Sequence, residues 1–262
     1  MHQADFDIDS LDTIMNALYQ ADHLQKLSLS KNFLDVNICE HLSEITQRLH
    51  KFQILCLSHC EIGHDGLKSL CEGSKYLDTV KELDLSWNNI NSSGMLIILQ
   101  MLEQNKTLEK LLIQHNFLQV DGAKHMVEAL KLHPQMTYLD ISANEITSQG
   151  FLYFEELFLS NHHLTNLMLR KNAIDGFKVK NMPKALIDNH NLLILDLRDN
   201  EIENEFSLQV VELLKHNHII EGILLKGNLH INQSLKEAIQ EESRKNMMIK
   251  EYIVPNLKLK DN

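Results

Sequence analysis

Asp84 and Asp140 are the side chains whose type and spacing come nearest to hydrolytic chemistry. Two carboxylates held roughly 5–9 Å apart can cleave a glycosidic bond, one as acid and the other as nucleophile or base. Such a pair needs surroundings that drive the two pKa values apart. The four cysteines, Cys39, Cys56, Cys60 and Cys71, form no C-x-x-C pair, and Cys56 with His59 on one strand is the thiol–imidazole pairing that comes nearest to a nucleophile. A nucleophilic thiol needs a base that a third group orients, and the sequence offers none. Among fifteen histidines, His162–His163 and His216-x-His218 lack the thiolates or carboxylates that would complete a metal site. No G-x-x-x-x-G-K-[ST], G-x-S-x-G or H-E-x-x-H motif occurs. Neither a metal nor a cofactor is expected.

What these residues can do depends on the elements that carry them, and those elements repeat. The frame L-x-x-L-x-L-x-x-N-x-L fits Leu24, Leu27, Leu29, Asn32 and Leu34, then Phe52, Leu55, Leu57, Cys60 and Ile62. It returns from Val80, Leu108, Met136, Leu164, Leu192 and Ile220, always 28 residues on, which makes eight repeats over residues 24–231. Within each, L-x-L alternates with the period of a strand, leucines inward and x residues outward. The Asn that follows can satisfy backbone groups where the chain leaves the strand, and Cys60 takes its place in the second repeat.

The second half of each repeat reads as a helix. Met95, Ile98 and Leu102, then Ala123, Met126 and Leu130, then Phe151, Phe154 and Phe158 form apolar stripes at offsets of three and four. Gly66, Gly94, Gly122 and Gly150 precede the stripe where the backbone must pass closely. Lys178 and Pro183 break the pattern in the sixth repeat and predict a short or displaced helix. Leu11, Ile14 and Leu18 predict a capping helix over residues 9–20, with Asp9 or Ser10 as N-cap. Residues 232–262 read as a capping helix, a ninth strand near 250–254 and a tail, so that residues 1–262 form one domain.

With 28-residue units of this pattern, the chain resembles the ribonuclease-inhibitor-like leucine-rich repeats. The resemblance implies an α/β solenoid, a horseshoe with a parallel sheet on its concave face and helices on its convex face. It also implies a non-catalytic module that binds another protein. The outward residues then form ladders, with rungs roughly 4.8 Å apart. The central ladder is Ser28, Cys56, Asp84, Leu112, Asp140, Met168, Asp196 and Leu224; its alternation of acidic and apolar residues is read either as charge spacing or as two inherited repeat types. The next ladder turns basic at Arg170, Arg198 and Lys226, which read as a recognition patch or as partners of Asp196 and Asp199. A third ladder carries His115 and the single tryptophan, Trp87, at the rim. Trp87, Tyr138, Leu112, Met168, His115, Asp84, Asp140, Arg170, Asp196 and Arg198 are the candidate partner-binding residues. Asp84 and Asp140 would stand roughly 10 Å apart on this face. An open, hydrated ladder gives neither a reason for a shifted pKa, which argues against hydrolysis.

A net charge of −11 disfavours nucleic acid and anionic membrane surfaces and favours a basic partner. No apolar run reaches a membrane-spanning length and no secretory leader is seen, so a cytoplasmic monomer with reduced cysteines is expected. The array also resembles the short leucine-rich-repeat effectors that intracellular bacteria deliver through type IV secretion. That likeness implies a host-protein partner in the host cytosol. Glu237, Glu241 and Glu242 fit it weakly, and fit better the exposed face of a capping helix. A GTPase-activating role would require loop residues that have no match in the first repeats. A ubiquitin-ligase adaptor usually carries a helical docking domain, whereas about 20 residues precede Leu24.

Overall fold

Each L-x-L core becomes a three-residue strand. A computed structural model describes residues 13–257, apart from 15, 19, 22, 73–78 and 161–162. The strands are β1 (Lys26–Ser28), β2 (Ile54–Cys56), β3 (Glu82–Asp84), β4 (Lys110–Leu112), β5 (Tyr138–Asp140), β6 (Asn166–Met168), β7 (Ile194–Asp196) and β8 (Gly222–Leu224). They form one parallel sheet in the order β1 to β8, and each residue pairs with the residue 28 places on. The central ladder read from the sequence is therefore a ladder of the sheet, and the two ladders beside it follow the strand ends.

Helices close each repeat against the inward leucines. They are α1 (Val36–Arg48), α2 (Gly63–Glu72), α3 (Ser92–Gln104), α4 (Gln119–Leu132), α5 (Thr147–Leu152), α6 (Phe154–Ser160), α7 (Met182–Ala185), α8 (Asn204–His216) and α9 (Gln233–Leu257). The expected stripes are buried, from Met95, Ile98 and Leu102 to Phe151, Phe154 and Phe158. Asp35 and Asn91 cap α1 and α3 by accepting from the amides of Ile38 (2.9 Å) and Gly94 (3.0 Å). The glycine before the stripe is set by space: a Cβ on Gly150 would stand 2.6 Å from Ile146 Cγ2 and 3.1 Å from Ala123 Cβ. In the sixth repeat Pro183 sits in the first turn of α7, which has only four residues.

Buried asparagines tie the rungs together. Asn88 Nδ2 donates to the Leu57 carbonyl (2.7 Å), and its Oδ1 accepts from the Cys60 amide (2.9 Å). Asn116, one rung on, repeats this with the Leu85 carbonyl and the Asn88 amide. Cys60 keeps half of the device, since its thiol donates to the Leu29 carbonyl at 3.2 Å.

The ends differ from expectation. Residues 13–14 and 16–18 are helical and Leu18 packs on the core, while the N-cap candidates Asp9 and Ser10 lie outside the described residues. No ninth strand forms near 250–254, because α9 runs through it to Leu257. Glu237 to Lys250 is rich in strong helix formers and contains no glycine to stop a helix. Asn246 also locks the helix in place by donating to the carbonyls of Asn217 (2.8 Å) and Ile220 (3.0 Å).

Candidate functional site

Seven of the ten candidate residues line one hollow of about 220 Å³ on the open face of the sheet. Tyr138 and Asp140 come from β5 and Met168 from β6. Asp196 ends β7, His115 follows β4, and Arg170 and Arg198 follow β6 and β7. The volume is below the roughly 300 Å³ at which small-molecule sites begin, and suits a side chain or two of a larger partner. Leu112 and Asp84 continue the same ladder outside the hollow, both partly exposed.

Asp140 is not freely hydrated, which corrects the expectation for that residue. Burial raises the Asp140 pKa; the Ser142 hydroxyl and amide oppose the rise and nearby Asp196 adds to it. Asp196 is 2% exposed. It is held by a two-pronged pair with Arg198, whose Nη2 and Nε approach Oδ2 at 2.6 and 2.9 Å. Tyr138 lies two residues before Asp140 on the same strand and Met168 pairs with it on the next, and all three line the hollow. Arg170 Nε pairs with Asp199 Oδ2 at 2.5 Å, so the basic ladder is largely matched within the molecule. Lys226, the last of that ladder, is exposed.

Two residues of this floor were missed by reading only the central ladders. Lys110 lies 3.1 Å from Glu82 and 5.2 Å from the Tyr138 ring centroid, a cation–π arrangement. Glu82, Lys110 and Tyr138 are 28 residues apart, so the repeat frame itself carried the signal. Burial, then Asp140 and Asp196, raises the Tyr138 pKa and keeps its phenol protonated.

Trp87 stands beside this hollow. Its ring lies between His59 (centroids 4.8 Å, 14° between planes) and His115 (3.7 Å, 12°). The three residues do not sit in the strand but in the turn after it, at left-handed φ of 58°, 60° and 55°. That conformation costs about 1–2 kcal/mol per residue. It is offset by ladder bonds such as Trp87 N–H to the Gln114 carbonyl at 3.0 Å and His115 N–H to that of Ser142 at 2.9 Å. The indole, 46% exposed, thus has its faces covered and its edge outward. With Phe117, 48% exposed, and the acids Glu61 and Glu145, it lines a second hollow.

The thiols are held protonated. Burial pushes Cys39 and Cys71 up to about 12 and Cys60 up to about 11, and burial with Asp84 raises Cys56. His216 bonds the Glu212 carbonyl and His218 meets Asn246 Oδ1 at 3.1 Å, while His162 lies outside the described residues.

A family model described as Leucine Rich repeat matches residues 48–71, 77–98 and 188–205. These stretches fall in phase with the 28-residue rungs of the sheet. The chain is similar to leucine-rich-repeat solenoids of the ribonuclease-inhibitor type. Pig (Sus scrofa) ribonuclease inhibitor is 38% identical to it over 88 residues, which is 33% of this chain and 19% of that protein. Chicken (Gallus gallus) leucine-rich repeat-containing protein 45 is 31% identical over 80 residues, 30% of this chain and 12% of that protein. The solenoid thus spans less than a fifth of either relative's length in these matches. Among solved structures, the tropomodulin C-terminal domain from Caenorhabditis elegans is 12% identical with a TM-score of 0.44, covering 68% of this chain and 92% of that one. An actin-binding site of leiomodin-1 is also 12% identical, with a TM-score of 0.34, covering 98% of this chain and 99% of that one. Among the described residues no helix is long and apolar enough to cross a membrane.

Proposed function

We propose that the solenoid binds another protein on the open face of its sheet, along the floor from Trp87 to Arg198, and catalyses no reaction there. The observation that carries this reading is the convergence of an aromatic, an apolar and several charged side chains on one hollow that the fold does not need. Asp140 is half-buried there at a cost to its charged form, although the leucine core would stand without it. Groups kept at such a cost are concentrated at functional sites. The fixed rungs also present the face already ordered, which lowers the entropy lost on binding. Protonated thiols and a carboxylate already paired with Arg198 favour recognition over chemistry.

The acidic C-terminal residues lend no weight to bacterial delivery. Glu237 and Glu241 are exposed on α9, and Glu242 is tied to Lys245 at 2.8 Å. A host-cell partner would be the finding that revives that reading.

The test is capture from a lysate followed by affinity measurement with the captured protein. Trp87→Ala and Tyr138→Ala should each weaken binding by about 1–3 kcal/mol while the melting temperature holds. Equal affinity, or a loss of stability as large as the loss of binding, would remove these residues from the interface.

A further inference from the structure

Among the described residues the last strand of the sheet is β8, and no strand pairs with its outer edge. In every inner rung, two amides beyond the strand bond to the next rung, as Leu197 N–H does to the Leu224 carbonyl (2.9 Å) and Asp199 N–H to that of Lys226 (2.9 Å). Their counterparts in the last rung are Leu225 and Gly227, whose amides meet no acceptor among the described residues. Such an edge is a template for another strand.

Helix α9 does not cover this edge. Asn246 and the buried Ile239 hold it against the preceding repeat, and a groove of about 630 Å³ is left between helix and strand. Its apolar lining includes Ile239, Leu224 (37% exposed) and Met247 (47% exposed). Lys226, Lys236 and Arg244 line it with no ion pair among the described residues, and outnumber the one acid of the lining, Glu221, in a chain of net charge −11.

We propose that β8 and α9 form a receptor for an extended acidic peptide segment of a partner, which joins the sheet as a ninth parallel rung. The central ladder runs Asp140, Met168, Asp196, Leu224, so an acidic residue is next in its alternation. The incoming strand would offer its carbonyls to Leu225 and Gly227, place apolar residues against Ile239 and Met247, and set its acids near the three cations. This is recognition by strand addition, in which the backbone supplies affinity and the side-chain pattern supplies selectivity.

The probe is a synthetic peptide copying residues 134–146, a rung that carries Asp140 and Glu145, labelled for fluorescence anisotropy. It should bind saturably and more weakly as salt rises. Hydrogen exchange at the Leu225 and Gly227 amides should slow when it binds. Leu224→Lys and Met247→Glu, both at exposed positions, should each weaken binding at least about tenfold. Lys226→Glu with Lys236→Glu should weaken it and flatten its salt dependence. Absence of binding, unchanged exchange at the two amides, or equal affinity for the Met247→Glu protein with an unchanged melting temperature would overturn the proposal.

Discussion

His133 shows how much one residue type can decide. Its imidazole is buried, and Nδ1 accepts from the amides of Gln135 and Met136 at the end of α4. Asn105, Asn189 and Asn217 do the same work with Oδ1 at the ends of their repeats. Burial, then Lys106, lowers the His133 pKa from 6.5 to about 4. A folded pKa below the unfolded one means that the unfolded chain takes up the proton first. Stability is therefore full above about pH 6.5 and falls as the pH drops toward about 4, by about 3 kcal/mol from this site. His133→Asn keeps the acceptor and removes the titration, so denaturant melts at pH 7 and pH 4.5 should show a smaller acid loss in the variant than in the parent. This second ladder, at 28-residue spacing, escaped a frame that ended at the strand-turn asparagine. Asp140 has the opposite sign: its raised pKa destabilises the charged form in the fold. Asp140→Asn should raise the melting temperature at pH 7, and the gain should vanish below the ordinary carboxylate range. No gain at pH 7 would mean that the burial of Asp140 carries no cost.

At the scale of the element, the repeat frame determines nearly everything. The inward leucines, the helical stripes and the shortened α7 were readable because each follows from a period or from a proline. Leu139 is fully buried at the centre of β5, so Leu139→Ala should cost about 2–5 kcal/mol in denaturant melts. Asn88→Ala should cost about 2–4 kcal/mol, because it strands the Leu57 carbonyl and the Cys60 amide inside the fold. A cost near zero for either would mean the rungs are not held as described. The C-terminal end was not readable in this way. A one-residue slip between Asn228 and Ile231 left a strand-like pattern at Ile249, Tyr252 and Val254 in competition with helix formers, and α9 prevailed. Pattern alone cannot weigh a local strand against a helix already anchored by Asn246. Nor could it show that Trp87 stands in a left-handed turn with both faces stacked, since ladder phase gives position along the sheet and not backbone conformation.

For the whole molecule, the sheet presents one ordered face and one open edge, while the outer helices carry scattered exposed residues such as Leu159, 66% exposed on α6. The central claim is that the face with Tyr138 and Met168 does the binding. The most direct measurement places a photo-crosslinking amino acid at 138, at 168 or at 159 in turn and identifies the adducts formed in a cell lysate by mass spectrometry. A common protein adduct from positions 138 and 168, absent from position 159, is the result this account predicts. The same adduct from 159, with none from the sheet face, would contradict it and move the binding surface to the helices.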